Sequence, residues 1–330
     1  MDRSRLHLRE DCATFLRHRR RMMRIVCIGE AMAEIRADGS GYALGFAGDT
    51  FNTAIYCRRA LGAKGAVGYL SRIGHEALSE GFVRLALSEG VDVSKVSRDP
   101  DRNIGIYSVQ TDAAGERSFA YWRESSAARR LFTAPEDFAA LNGAELLYFT
   151  GITLAILTDR ARADFLDAIV DLKARSGVRV AFDSNFRPRL WHDFAAARAA
   201  ISQAWALTDI AFPSLDDEML LFDDKNEQAV LERLRKCGCR LGALKRGAFG
   251  PIPIDPELAP LHQLVRAKKV IDTTGAGDSF NGAFLSAYMQ SEDPNVCMSR
   301  GHELACEVIG FPGAISPRPA AATDPKDASY

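Results

Sequence analysis

Short, uninterrupted apolar runs alternating with amphipathic helical stretches restrict this 330-residue chain more than any other property. Strands are predicted at 25–28, 145–150, 178–183, 209–212 and 241–245. A strand apolar on both sides must be covered on both sides, which is the environment of a parallel sheet. Between the strands, Leu78, Phe82 and Leu85 repeat at helical spacing within 76–89, and Gly90 follows as a stop. Phe165, Ile169 and Leu172 do the same within 159–176, ahead of Gly177. Such alternation implies βαβ units with helices on both faces of the sheet. Residues 103–123 (NIGIYSVQTDAAGERSFAYWR) break the rhythm: they alternate in polarity around a turn at 112–115 and read as a half-exposed hairpin. Residues 40–47 supply further strand material. The expected architecture is a three-layer α/β/α core with a small β-sheet lid.

Composition narrows the class. Lys and Arg total 42 and Asp and Glu 43, a balance that excludes a basic nucleic-acid coat and an acidic disordered chain. No apolar run approaches the ~18 residues of a membrane span. Seven cysteines at irregular spacing, with Cys237 and Cys239 the closest pair, match neither a disulfide framework nor a zinc site. A reduced, cytoplasmic protein is expected, with neither nucleic acid nor membrane as partner. Residues 1–23 are basic but lack the apolar segment of a signal peptide, and are read as a disordered or non-native leader. The domain is placed at 24–318, with lid strands within about 36–50 and 103–123, and 319–330 are read as a loose tail.

The chemistry concentrates in residues 271–284, IDTTGAGDSFNGAF. A strand predicted at 265–272 runs into Thr273-Thr274-Gly275-Ala276-Gly277, and a helix follows over 278–288. Gly275 and Gly277 permit a tight turn that presents bare N–H groups, and the helix dipole behind them favours an anion. Asp278, in the first helical turn, is either a simple cap or a carboxylate placed to take a proton from an attacking hydroxyl. The string lacks the third glycine of a dinucleotide fingerprint, and no G-x-x-x-x-G-K-[ST] loop occurs. His302-Glu303-Leu304-Ala305-Cys306 has Cys where a zinc protease motif needs His.

Residues 272–284 resemble the C-terminal signature of the ribokinase-like (PfkB-type) carbohydrate kinases. Gly45-Phe46-Ala47-Gly48-Asp49-Thr50-Phe51-Asn52-Thr53-Ala54, with Gly62 and Ser71-Arg72-Ile73-Gly74 downstream, is similar to the N-terminal sugar-binding signature. The two lie over two hundred residues apart in the expected order, and the resemblance spans about 24–318. Residues 48–52, Tyr121-Trp122-Arg123 and 182–191 (FDSNFRPRLW) point to the branch that acts on 2-keto-3-deoxy sugar acids.

The resemblance implies a ribokinase-like core and transfer of the γ-phosphoryl of ATP, with Mg2+, to the terminal hydroxyl of 2-keto-3-deoxygluconate. It implies that Gly48, Asp49, Thr50, Asn52 and Tyr107 contact the sugar acid, with Tyr121 and Arg123 on the lid. Ser184, Asn185 and Arg187 would lie near the phosphates, Arg187 also reaching substrate. Lys245, Arg246, Gly247 and Gly250 would line the nucleotide side. Gly275, Ala276 and Gly277 would form the anion hole, and Asp278 would touch substrate as the proton acceptor. An Arg suits a carboxylate because its planar fork can bind both oxygens. Arg123 is otherwise a solvated hairpin end, Arg187 a surface ion pair, Tyr107 lid packing, and Trp122 is read as lid core. A homo-oligomer formed through the lid is expected. The alternatives are another sugar kinase, such as a fructokinase, and a sugar-acid-binding protein that has lost ATP turnover.

Four features depart from the family pattern. Ala47 replaces the first of two glycines, and Ser214-Leu215-Asp216-Asp217 stands for the Asn-x-x-Glu motif, leaving the metal ligands unassigned. Prolines 251, 253, 256 and 260 follow the nucleotide-side glycines, so a short or irregular strand is expected there. His302 stands where such kinases often have Asn.

Overall fold

Alternation within each strand sorts its side chains into two cores. Ile25 and Cys27 of β1 (Met23–Ile28) face one way and Val26 and Ile28 the other. Leu146 and Tyr148 oppose Leu147 and Phe149 in β8 (Leu146–Thr150), and Ala181 opposes Val180 and Phe182 in β9 (Arg179–Asp183). This computed structural model describes residues 23–38, 41–111, 117–261 and 263–318. The leader up to 22, the hairpin turn and the tail from 319 lie outside the described residues.

The main sheet adds β4 (Gly65–Ile73), β5 (Asp92–Arg98), β10 (Ile210–Ala211), β11 (Leu241–Leu244) and β12 (Ile252–Pro253). Its order is β12-β11-β10-β9-β8-β1-β4-β5, parallel except for the antiparallel β12 at one edge. One core packs under helices that include Asp159–Ser176, Phe194–Leu207 and Glu227–Lys236. The other packs under Asp49–Leu61, Ala77–Ser88, Ala276–Met289 and Pro294–Val308. The expected three layers are therefore present. The helix expected at 159–176 has those bounds, and Gly177 closes it in the left-handed conformation at φ 67°.

A second sheet, β3-β2-β6-β7, comprises β2 (Met32–Asp38), β3 (Gly41–Ala47), β6 (Gly105–Thr111) and β7 (Arg117–Trp122). It begins at Met32, earlier than the expected 36. Tyr107, Val109, Met32 and Ala47 form its buried inner cluster with Ala314. Register puts Tyr42, Leu44 and Trp122 on the opposite face, where all three are exposed. Trp122 is thus an outer-surface residue at 59% exposure, and its reading as lid core is corrected.

The strand expected at 265–272 does not form. After the proline-bearing β12 the main sheet has no further partner, so the segment crosses the end of helix Pro294–Val308 instead. Ile271 N–H donates to Ile309 O at 2.8 Å, and His302 Nε2 meets Val265 O at 2.8 Å. Leu264, Val265, Val270 and Ile271 remain exposed, which is why their apolarity misleads a pattern-based reading.

Phe165 is fully buried, with ring centroids 4.3 Å from Phe132 and 5.1 Å from Phe149. Phe165→Ala should cost about 3–5 kcal/mol, a large core truncation. Urea denaturation at fixed pH measures it; a loss below about 1 kcal/mol would contradict this packing.

Candidate active site

Parallel strands deliver their last residues to one edge of the sheet, where open α/β sheets bind ligands. Thr150 ends β8, Asp183 ends β9 and Lys245 follows β11. Helix Asp49–Leu61 and helix Ala276–Met289 start at the same edge and bring Asp49, Asn52 and Asp278 into it.

The turn before the second helix is built as backbone. Gly275 has φ 77°, in the left-handed region, and a Cβ there would lie 2.4 Å from Ala314 O. Glycine is the residue that this turn accepts. A Cβ on Gly277 would stand 3.4 Å from Lys245 Nζ, so an ammonium flanks the turn's N–H groups. Ala276 N–H, expected in the anion hole, donates instead to Thr273 O at 3.2 Å, so the cation, the helix N-terminus and the neighbouring amides make the anion-receiving corner.

Asp278 occupies the first turn of that helix. Asn52 Nδ2 donates to its Oδ2 at 2.8 Å, and Thr53 Oγ1 donates to its carbonyl at 3.2 Å. Burial first, then the charge of Asp49, pushes the Asp278 carboxyl up to about 7; the Asn52 amide and Lys245 pull against them. Asp49 accepts from Thr150 Oγ1 at 2.6 Å and from Asn185 Nδ2 at 2.8 Å. Asp183 accepts from Asn281 Nδ2 at 2.7 Å and pairs with Lys245. Asn185 holds φ 29°, an uncommon value that Asn tolerates better than most residues.

Other expected site residues separate into groups. Gly48 precedes helix Asp49–Leu61 as its cap residue, and Thr50 is fully buried against the Tyr69 hydroxyl at 3.1 Å. Tyr107 is buried and donates to Glu34, while Tyr121, 45% exposed, stacks on it at 5.9 Å. Arg123 is 5% exposed, far from a solvated hairpin end, and its charge is paired with buried Glu30. Ser184 is buried. Arg187 is exposed 3.6 Å from Asp217, whose carboxyl burial holds above its ordinary range. Arg246 bonds to Phe249 O, Gly250 O and Glu227, fastening the 247–250 turn around Gly247 and Gly250. Sequence reading assigned no role to Asp183, Thr150, Asn281, Glu30 or Glu34. The first two were detectable as polar residues ending buried strands, and Asn281 as an amide inside the 271–284 string.

A carboxyl held up to about 7 beside an anion-receiving turn suits transfer of a phosphoryl group onto a hydroxyl. The family described as pfkB family carbohydrate kinase matches residues 22–321. The chain belongs to that family. A 2-dehydro-3-deoxygluconokinase of Haemophilus influenzae is 36% identical over 304 residues, 89% of this chain and 96% of that protein. One of Dickeya dadantii is 37% identical over 301 residues, 89% and 96%. Among solved structures, the PfkB protein of Polaromonas sp. aligns with TM-score 0.75 and 26% identity, covering 88% of this chain and 96% of that one. Aminoimidazole riboside kinase of Salmonella enterica, complexed with its riboside and an ATP analog, gives 0.74 and 22%, covering 89% and 95%.

The raised Asp278 pKa fixes two signs. The folded site disfavours the ionised carboxyl, so this group's contribution to stability is greatest below its unfolded value of ~4 and is lost as pH rises through about 7. Asp278→Asn should therefore be more stable than the parent at pH 8, with the gap narrowing toward pH 4; urea midpoints at the two values measure it. Asp49→Asn removes a charge that raises the acid, so the acidic limb of kcat/KM should move to lower pH. An unmoved limb would contradict the charge coupling.

Proposed function

We propose that this carbohydrate kinase transfers the γ-phosphoryl of ATP to the terminal hydroxyl of 2-keto-3-deoxygluconate, with Asp278 as proton acceptor. The observation that carries the chemistry is the 2.8 Å bond from Asn52 Nδ2 to Asp278 Oδ2, which joins the sugar signature to the phosphate-turn signature. The substrate class rests on curated 2-dehydro-3-deoxygluconokinases at 35–37% identity that this chain covers almost end to end.

The corner suits a phosphate group: glycines at 275 and 277 leave the turn before Asp278 little side-chain bulk, and Lys245 stands beside it. Lys245 and the amides of 275, 277 and 278 would hold the phosphate, and Asn185 and Arg187 would approach it from the loop after β9. Among the described residues no three His, Cys, Asp or Glu side chains converge on one point, so a magnesium ion would take at most one or two carboxylates beside phosphate oxygens and water. Nucleotide and metal supply the transferable phosphoryl and neutralise its charge.

The protein's part is positional and protonic. Asn52 and the lid hold the sugar acid so that its terminal hydroxyl faces Asp278 and the glycine turn. As the hydroxyl oxygen bonds to phosphorus, its proton passes to the Asp278 carboxylate and the bond from phosphorus to the bridging oxygen breaks, releasing ADP. Tyr107 and Tyr121 line the inner lid face, and closing it over the sugar would exclude water. Exposed Tyr42, Leu44 and Trp122 on the outer face support self-association through the lid, which sedimentation would test.

Coupled ADP release should be fastest with 2-keto-3-deoxy sugar acids and poor with fructose and ribose. Equal turnover of fructose would favour a fructokinase, and acid binding without ADP release would favour a sensor. Asp278→Asn should lower kcat by about 10²–10⁴-fold, the span of general base catalysis, without loss of fold. Activity near that of the parent would remove Asp278 from its role.

A further inference from the structure

Arg123 does not stand alone in the lid. The chain passes from the main sheet to the lid at 29–31 and leaves the lid at Arg123, so residues 30 and 123 mark two of the lid's junctions. Their side chains, 0% and 6% exposed, form an ion pair between Glu30 Oε2 and an Arg123 terminal nitrogen. Glu30 Oε1 and Arg123 Nε are both buried without a partner. The Arg123 guanidinium also lies over the Tyr121 ring at 5.8 Å. The lid leaves space for this pair: a Cβ on Gly105 would come within 2.8 Å of Glu30 Oε1 and 3.4 Å of Arg123 Cβ.

A buried guanidinium that loses its carboxylate is strongly disfavoured and swings toward water. The pair has a second consequence, since a neutralised Arg attracts an anion through directed N–H groups rather than net charge. We propose that Glu30 is a positioning residue for the substrate's acid group: it fixes Arg123 at the lid junction so that the guanidinium meets the sugar carboxylate. This rests on Arg123 reading that carboxylate.

Glu30→Gln, Arg123→Met and the double variant, assayed with 2-keto-3-deoxygluconate, test it. Glu30→Gln should raise KM for the acid at least tenfold while kcat changes less than threefold. Arg123→Met should raise KM similarly. Because Glu30 acts through Arg123, adding Glu30→Gln to Arg123→Met should move KM by less than twofold. The double variant removes both charges together and so avoids leaving a buried ion unpaired. Glu30→Asp, which keeps the charge and shortens the arm, should also raise KM with little change in melting temperature. An unchanged or lower KM in Glu30→Gln, with a raised KM in Arg123→Met, overturns the positioning role and leaves acid recognition by Arg123 intact. An unchanged KM in Arg123→Met overturns acid recognition itself.

Discussion

Asp49, Asp183 and Asp278 crowd one edge of the sheet beside Lys245, and how donors are distributed among them decides what the site can do. Asp183 takes Lys245 and the Asn281 amide, and Asp49 takes the Thr150 hydroxyl and the Asn185 amide. Asp278 has the Asn52 amide, with the charge of Asp49 close by and no cation of its own. A carboxyl with little support and a like charge nearby holds its proton to higher pH. Burial and the charge of Asp49 push Asp278 up to about 7, which suits a group that exchanges a proton near neutral pH.

That arrangement depends on two helices starting together although more than two hundred residues separate them. Helix Ala276–Met289 packs directly on helix Asp49–Leu61: a Cβ on Gly282 would reach within 2.8 Å of Cys57 N and Tyr56 Cβ. The close approach lets an Asn52 side chain span to Asp278. The segment after the last helix completes the corner, since Ala314 O limits Gly275 and Tyr56 Oη donates to the same carbonyl at 2.8 Å. Sugar motif, phosphate turn and C-terminal segment thus share one packing problem, and a change in any of them should be felt at the acid.

What a sequence discloses follows from how local its physical cause is. Buried strands, helix periods, Gly177 as a stop and the glycine turn at 275–277 are local properties, and all are legible in the sequence. The same reasoning failed at 265–272, where apolar residues imply a strand but the edge strand β12 is two residues long and contains a proline, too little to pair with one. It failed at Trp122, because alternation shows that a strand has two faces without showing which is covered. The neutralising partner of Arg123 was beyond reach for a similar reason: Glu30 lies 93 positions away, and neither residue's surroundings in the chain mention the other.

The Glu30–Arg123 pair bears on how an acid is told from a neutral sugar. With its charge balanced inside the lid junction, Arg123 contributes direction and little long-range attraction. Arg187 differs, being exposed at the end of β9 with Asp217 at 3.6 Å, a carboxyl that burial discourages from ionising. Lys245, beside the phosphate turn, is likewise paired with Asp183, so long-range attraction for anions at this edge falls chiefly to the exposed Arg187. On the proposed reading, selectivity among sugars comes from the fit at Arg123, because a charge that draws in every anion cannot by itself separate a sugar acid from a nucleotide.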